Sequence, residues 1–161
     1  MDCQLLTDNK KFRYRAAAII IEDGNILFAK NENDSYYYTV GGAVKIGEST
    51  EDAVVREVLE ETGVAYEIER LAFIHENFFE GDGGTLKKGL KCHELCFYYL
   101  MKPKGTKELK SNSSTTSGVR EFMCWLPIEK LETYEAHPKF FIKELQSIGE
   151  NIKHIVTNDI L

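Results

Sequence analysis

The sequence predicts an α/β fold in which a mixed β-sheet carries helices on both faces. Runs of apolar, aromatic and β-branched residues of strand length recur along the chain, and turn-forming residues separate them. One strongly patterned helix interrupts these runs, and a second helical pattern lies near the end. Strands on both sides of a helix favour a mixed sheet covered by helices. With 161 residues, positions 1–161 are expected to form a single domain.

The predicted strands form two groups, one before and one after the first helix. In the first group, an acidic-Gly-Asn turn at 22–25 separates two β-rich runs, which predicts a hairpin. A tyrosine-rich run then ends at the glycine pair Gly41 and Gly42. The only tryptophan, Trp125, lies in the second group. Two strands are predicted within residues 12–30, around the apolar runs 16–21 and 26–29. The other predicted strands cover residues 36–40, 64–79, 95–101, 119–126 and 152–156.

The first helix is predicted to start at residue 49 or 50 and to end at Gly63. Ser49 followed by Asp52 has the form of a capping box, and glycine commonly ends a helix in the left-handed conformation. Helical spacing places four aliphatic side chains on one arc, which we expect to dock on the sheet. These side chains are Val54, Val55, Val58 and Leu59.

The second half of the chain contains three further predicted segments. Apolar residues at helical spacing predict a second helix from Pro138 to about residue 148, with proline in the first turn. A short turn or helix is predicted at 127–131. The polar loops at 80–89 and 111–118 are candidates for segments that close over a substrate.

Glu57, Glu60 and Glu61 share one face of the first helix, because they stand at positions i, i+3 and i+4. Their charges repel one another, and the C-terminal end of a helix dipole disfavours anions. Arg56 lies four residues before Glu60 and is predicted to pair with it. Oxygen-rich clusters suit hard divalent cations, so this face predicts a site for Mg²⁺ or Mn²⁺.

Composition argues against several other classes of function. The formal net charge of -6 and the pI near 5.3 disfavour binding to long nucleic acid, although they allow a small phosphorylated substrate. No apolar run approaches membrane-spanning length and the start of the chain lacks a signal-peptide pattern, so we expect a cytoplasmic protein with no membrane partner. The four cysteines include no C-x-x-C pair, which disfavours zinc binding and dithiol redox chemistry.

The residues around the first helix resemble the signature of the Nudix hydrolase family. Their spacing is G-x5-E-x7-R-E-U-x-E-E-x-G-U, where U is a bulky aliphatic residue. One departure is Val40, where many family members place proline before the two glycines. The motif positions are filled by Gly42, Glu48, Arg56, Glu57, Val58, Glu60, Glu61, Gly63 and Val64.

The resemblance implies a Nudix-type α/β/α sandwich and an enzyme that hydrolyses a phosphoanhydride bond. The substrate class is a nucleoside diphosphate linked to another group, and water attacks at phosphorus. In this interpretation Glu57, Glu60 and Glu61 hold the divalent ions, which neutralise the phosphates and activate water. Arg56 keeps Glu60 in one rotamer.

The resemblance leaves the general base open between two acids. Glu57 is the first choice and Glu94, which directly precedes the strand predicted at 95–101, is the alternative. Gly41 and Gly42 are expected to let the backbone approach the phosphates or the metal. Glu48 is expected to tie the glycine loop to the helix rather than to bind metal.

An inactive Nudix-like module that binds a nucleotide as a sensor is the alternative function. The intact acidic triad disfavours it, because binding alone does not require a full set of ligands at such electrostatic cost. We expect a small nucleotide-type substrate, whose identity depends on loop contacts that composition does not encode. A homodimer is an expectation at the level of the family.

Other aromatic and polar residues are expected to have structural roles. The tyrosines Tyr36, Tyr37 and Tyr38 are predicted mainly to pack in the core or at a sheet edge. The histidines have no metal-ligand spacing and are expected to be structural or exposed. They are His75, His93, His137 and His154.

Overall fold

A computed structural model describes residues 1–111 and 118–160 of the chain. These residues form ten strands, two α-helices and one 3-10 helix. In chain order they are β1 (Gln4–Leu6), β2 (Lys10–Ile19), β3 (Ile21–Glu22), β4 (Asn25–Asn31), β5 (Tyr38–Thr39), β6 (Gly41–Ala43), α1 (Thr50–Thr62), β7 (Ile68–Glu80), β8 (Lys91–Met101), β9 (Glu121–Pro127), the 3-10 helix (Ile128–Thr133), α2 (Phe141–Glu144) and β10 (Lys153–Asn158).

The larger of the two sheets has six strands and mixed pairing. Its strand order is β1-β2-β8-β7-β10, and β6 also pairs with β2. The β2–β8 and β7–β10 pairs are parallel, whereas the others are antiparallel. In the smaller sheet, β4 pairs with β3, β5 and β9, all antiparallel. The predicted mixed sheet and the hairpin at 22–25 are therefore confirmed.

The two faces of the larger sheet contact different apolar clusters, because successive side chains of a strand point in opposite directions. Ala16 of β2 belongs to the cluster that includes Val54 and Val58 of α1. Ala17 belongs to the cluster that includes Phe141 of α2. One helix thus lies on each face, which confirms the predicted α/β/α sandwich.

Helix α1 begins and ends at the predicted residues. The Ser49 hydroxyl accepts a hydrogen bond from the Asp52 N–H at 3.1 Å, as in a capping box. Gly63 ends the helix in the left-handed conformation with φ of 70°. A side chain would be strained at this φ, so the sequence signal and the backbone agree.

The buried arc of α1 differs from the prediction. Val54 and Val58 are buried as expected, but Val55 is 39% exposed and Leu59 is 49% exposed. The inward positions are instead taken by small or acidic side chains next to the glycine turn, because β6 passes close to the helix there. The buried residues of α1 are Ala53, Val54, Val58 and Thr62.

The predicted second helix is too long. The segment after Pro138 begins with 3-10 hydrogen bonds, such as Phe141 N–H to the Pro138 carbonyl, and forms α-helix only over Phe141–Glu144. One turn is enough to bury Phe141 and Leu145, and Gln146 then bonds back to Ile128 instead of continuing the pattern. The exposed strand β1 has no counterpart in the prediction.

Other predicted segments agree with the structure or lie outside it. The 127–131 prediction corresponds to the 3-10 helix, and the final predicted strand corresponds to β10. Most of the loop predicted at 111–118 lies outside the described residues. In the described part of the chain, no helix combines the length and apolar character needed to cross a membrane.

Candidate active site

A cavity of about 1230 Å³ extends from the acidic face of α1 across one face of the larger sheet. Every residue predicted for the site lines this cavity, so the fold brings the glycine turn, the acidic helix and the acid of β8 to one place. The predicted residues on its wall are Gly41, Gly42, Arg56, Glu57, Glu60, Glu61 and Glu94.

The glycine turn is in direct contact with the acids of α1. A Cβ atom on Gly42 would lie 2.5 Å from Cδ of Glu57, so only glycine leaves room for this carboxylate. The Gly41 N–H lies 3.3 Å and 3.4 Å from the two Glu61 carboxylate oxygens. Gly42 therefore admits the Glu57 carboxylate to the backbone, whereas a Cβ atom on Gly41 would collide with Ala16 and Ala17 of β2.

Arg56 connects three carboxylates. Its Nε donates to Glu48 at 2.7 Å, and one terminal nitrogen donates to Glu57 at 2.5 Å and to Glu60 at 3.3 Å. The predicted Arg56–Glu60 pair exists but is the longest of the three. Hydrogen bonds from Arg56 lower the pKa of Glu48 to about 2, and Glu48 also accepts from the Lys45 N–H at 2.9 Å. Glu48 thus ties the loop to the helix, as predicted.

The three glutamates of α1 differ in their exposure. Burial raises the pKa of Glu57, and burial followed by the charges of Glu121 and Glu57 raises the pKa of Glu61 well above its ordinary value. The Glu60 side chain is 55% exposed. Glu121 of β9 is an acid that the sequence did not single out, and Tyr38 donates a hydrogen bond of 2.5 Å to it.

The donor set of this face fits a hard divalent cation. Within residues 1–111 and 118–160, no three histidine, cysteine or acidic side chains converge tightly enough to hold a metal by themselves. Mg²⁺ does not require such a cage, because it keeps several waters and binds one or two carboxylates together with substrate phosphates. Burial raises the pKa of Glu61, and a cation bound beside this carboxylate would favour its ionised form.

Glu94 lies within β8 rather than before a strand, and its side chain is 6% exposed. The parallel register places Arg13 of β2 beside it, and Arg13 and Arg15 both form ion pairs with it. Burial alone would raise the pKa of Glu94, but the two guanidinium groups outweigh burial and lower it. Arg15 also donates to the Gly41 carbonyl at 3.1 Å, which connects Glu94 to the glycine turn.

The far end of the cavity contains residues that the sequence did not assign to the site. His75 and Asn77 of β7 and Thr157 of β10 line it. Strand alternation within the predicted 64–79 segment could have placed His75 and Asn77 on one face, but not opposite Thr157. His75 is buried, with 1% of its surface exposed.

Two of the three consecutive tyrosines also line the cavity. Tyr36 and Tyr38 face it, whereas Tyr37 packs against the core cluster on the α2 side. Tyr37 therefore packs in the core and Tyr38 lies in the edge strand β5, both as expected, but Tyr36 and Tyr38 also face the cavity. Burial and the charge of Asp34 raise the pKa of Tyr36 to about 12, so this side chain is neutral at physiological pH.

The loop predicted at 80–89 is tied to the rim of the cavity. The Asp34 carboxylate accepts from the Thr85 N–H at 3.0 Å and from the Thr85 hydroxyl at 2.6 Å. Asn31 adds a hydrogen bond of 2.8 Å to the same carboxylate. Burial would raise the pKa of Asp34, but these hydrogen bonds lower it. The loop is thereby held against the cavity in the described structure.

Known proteins resemble this chain in sequence. A sequence model of the NUDIX domain matches residues 11–145. A MutT-like protein of Streptomyces ambofaciens is 28% identical over 144 residues, which cover 89% of this chain and 81% of that protein. An ADP-ribose pyrophosphatase of Methanocaldococcus jannaschii is 37% identical over 116 residues, which cover 58% of this chain and 69% of that protein.

The likeness extends to solved structures. The MutT NUDIX hydrolase from Burkholderia pseudomallei has a TM-score of 0.57 and 25% identity to this chain, over 73% of this chain and 84% of that one. The overall fold is therefore shared. Because the family match spans most of the chain and includes all of α1, this protein belongs to the Nudix hydrolase family.

Proposed function

We propose that this protein hydrolyses a phosphoanhydride bond in a nucleoside diphosphate linked to another group, with Mg²⁺ as the cofactor and Mn²⁺ as a substitute. The observation that carries the proposal is the acidic face of α1, which presents Glu57, Glu60 and Glu61 to one end of the cavity. The ADP-ribose pyrophosphatase of M. jannaschii supports the substrate class and makes ADP-ribose the first compound to test.

The proposed roles follow from the surroundings of each side chain. Glu57, Glu60 and Glu61 would hold the cation, and Arg56 keeps Glu57 and Glu60 in place through its hydrogen bonds. When bound, Mg²⁺ neutralises the phosphates and makes a water molecule more acidic. Glu57 is the first choice to accept the proton of the attacking water, because burial raises its pKa above the ordinary value. The water oxygen bonds to phosphorus while the bridging P–O bond breaks.

The direct test is a hydrolysis assay with purified protein and Mg²⁺. The panel contains ADP-ribose, nucleoside triphosphates, nucleotide sugars and dinucleoside polyphosphates, and the products are separated by chromatography. Cleavage of at least one compound between two phosphates, abolished by EDTA, is expected. If no compound is cleaved, the proposal fails and the nucleotide-sensor alternative gains support.

A second test separates the metal site from the fold. Glu60→Gln and Glu61→Gln should each weaken Mg²⁺ binding by at least roughly 10- to 100-fold, the loss seen when residues around a metal site are changed. Activity should fall together with metal binding. In metal-free buffer neither variant should be less stable than wild type, because like-charge repulsion is relieved. Glu51→Gln is the matched control, since Glu51 is exposed on the same helix. Unchanged turnover in both site variants would contradict the assignment.

A further inference from the structure

His75, Thr157 and Asn77 form a hydrogen-bonded chain on the floor of the cavity, away from the acidic helix. The Thr157 hydroxyl donates to the Asn77 side-chain oxygen at 2.6 Å. A hydroxyl has one proton to donate, so the contact of 2.8 Å between Thr157 Oγ1 and His75 Nε2 requires the histidine to be the donor. The proton of the neutral imidazole is therefore on Nε2.

The other ring nitrogen of His75 has no partner. Nδ1 is then a bare acceptor, and among the described residues it makes no hydrogen bond although it is fully buried. The side chain is 1% exposed, and burial lowers its pKa to about 4, so the ring stays neutral. A structural histidine normally has both nitrogens paired, since an unmade buried hydrogen bond is unfavourable. Because the His75 side chain lines the cavity, this unpaired acceptor instead suits a donor on a ligand bound there.

The position of His75 indicates which part of a ligand it would meet. Strand register places Ala43, Arg15, Cys96 and His75 in one row across β6, β2, β8 and β7. Three strand spacings separate the ends of this row by about 14 Å. Gly42, which contacts Glu57, precedes Ala43 in the chain. A pyrophosphate held at α1 would therefore place an attached nucleoside near His75.

We propose that His75 Nδ1 accepts a hydrogen bond from an N–H or O–H of the nucleoside part of the substrate, which makes His75 a specificity-determining residue. The inference rests on the proposed function, because that function puts the pyrophosphate at α1. Asn77 adds to the recognition, since its Oδ1 is occupied by Thr157 and its amide donors make no hydrogen bond to another described side chain. The site thus offers an acceptor beside a donor, which complements an amino group of a base or a sugar hydroxyl.

Steady-state kinetics test the proposal with ADP-ribose as the probe. His75→Phe keeps the ring but removes the acceptor, and should raise KM by about tenfold to a hundredfold while changing kcat little. His75→Asn keeps a polar acceptor at the δ position and should restore part of the loss. A merely structural role would lower stability or kcat instead. An unchanged KM in folded His75→Phe would overturn the proposal.

Substrate analogues identify the donor. The inosine counterpart of ADP-ribose replaces the amino group with an oxo group, and the 2′-deoxyadenosine counterpart removes a hydroxyl of the nucleoside. The donor is the group whose removal weakens binding to wild type but not to His75→Phe. If both analogues affect the wild type and the variant equally, no such hydrogen bond to the amino group or the 2′-hydroxyl exists and the proposal fails in this form.

A measurement on the wild-type protein remains decisive if the variants do not fold. Nitrogen-15 NMR of histidine-labelled protein should show a protonated Nε2 and a bare Nδ1, whose resonance moves upfield on saturation with ADP-ribose. A resonance that does not move, or the absence of binding, overturns the inference. A protein that binds and shifts but cleaves nothing would contradict the proposed hydrolysis alone, so the two failures are distinguishable.

Discussion

Glu57 and Glu94 are two poorly exposed carboxylates with opposite surroundings. Burial raises the pKa of Glu57, whereas Arg13 and Arg15 outweigh burial and lower the pKa of Glu94. A general base is most effective when its pKa lies near the working pH. The difference favours Glu57 as the proton acceptor and makes Glu94 the counterion that allows two guanidinium groups to lie in the cavity.

Glutamine substitutions test this division of roles. Glu57→Gln should lower kcat at saturating Mg²⁺ by about 10² to 10⁴. Glu94→Gln should mainly lower the free energy of unfolding, by roughly 3–5 kcal/mol, because Arg13 and Arg15 lose their buried counterion. Urea denaturation and kcat per folded molecule measure the two effects. If kcat of folded Glu94→Gln fell as much as that of Glu57→Gln, Glu94 would be the general base instead of Glu57.

Gly42 offers a second test at the level of one residue. In Gly42→Ala the new Cβ would collide with the Glu57 carboxylate, 2.5 Å away, and displace it from Arg56. A displacement of about 1 Å in a catalytic group can lower the rate about 10²-fold, so kcat/KM should fall by that order. Gly149→Ala is the control, since nothing lies within 4 Å of its added Cβ. Equal activity of both variants would show that the close approach is unimportant.

Helix α1 combines two requirements that compete for its inner surface. Its apolar residues must dock on the sheet, and its acids must face the cavity beside β6. The structure meets both by burying a narrow arc and leaving Val55 and Leu59 half-exposed. The side of α1 toward the cavity is therefore polar although it is partly buried.

Alanine substitutions along α1 distinguish this arc from the broader one that the spacing predicts. Val54→Ala and Val58→Ala should each lower the free energy of unfolding by about 1–3 kcal/mol, because both side chains are fully buried. Val55→Ala and Leu59→Ala should change it by less than about 1 kcal/mol. Chemical denaturation of the four variants checks the prediction. If Leu59→Ala lowered the free energy of unfolding as much as Val58→Ala, the broader arc predicted from the spacing would be correct.

The cavity is assembled by contacts between parts of the chain that are distant in sequence. Asp34 reaches Thr85 across 51 residues, and Tyr38 reaches Glu121 across 83. The acidic helix supplies only one end of the cavity wall.

The expected homodimer stays a prediction of the family resemblance, and the expected cytoplasmic location stays a prediction of composition.

Acid stability reports on the buried histidine. The unfolded chain takes up a proton at His75 below about pH 6.5, whereas the native state does so only near pH 4. The unfolded state binds more protons in this window, so the contribution of His75 to stability falls as pH falls, by roughly 3 kcal/mol at completion. Glu57 and Glu61 act with the opposite sign because burial raises their pKa values.

Comparison with His75→Phe isolates this effect from the acids. The difference in free energy of unfolding between wild type and variant, from urea denaturation at pH 7 and pH 4.5, should change by roughly 2–3 kcal/mol in favour of the variant at the lower pH. A difference that is independent of pH would mean that His75 titrates normally in the native state.

Three features of the site could be predicted from the sequence: helix α1, its caps at Ser49 and Gly63, and the shared face of Glu57, Glu60 and Glu61. All of these depend on spacings within one helix, which helical geometry converts directly into positions in space. The same reasoning predicted too long a helix for α2. The periodic spacing of apolar residues does not show at which turn the helix stops packing against the rest of the protein.

The surroundings of those acids depend on contacts that form only in the folded chain. The ion pairs of Glu94 depend on the register of β2 against β8, and the tautomer of His75 depends on Thr157, which lies 82 residues away. Such pairings arise from the sheet as a whole, because a strand can pair in many registers that its own residues do not distinguish. The arrangement of the acids on the helix could therefore be predicted from the sequence, whereas the hydrogen bonds on the cavity floor could be identified only from the fold.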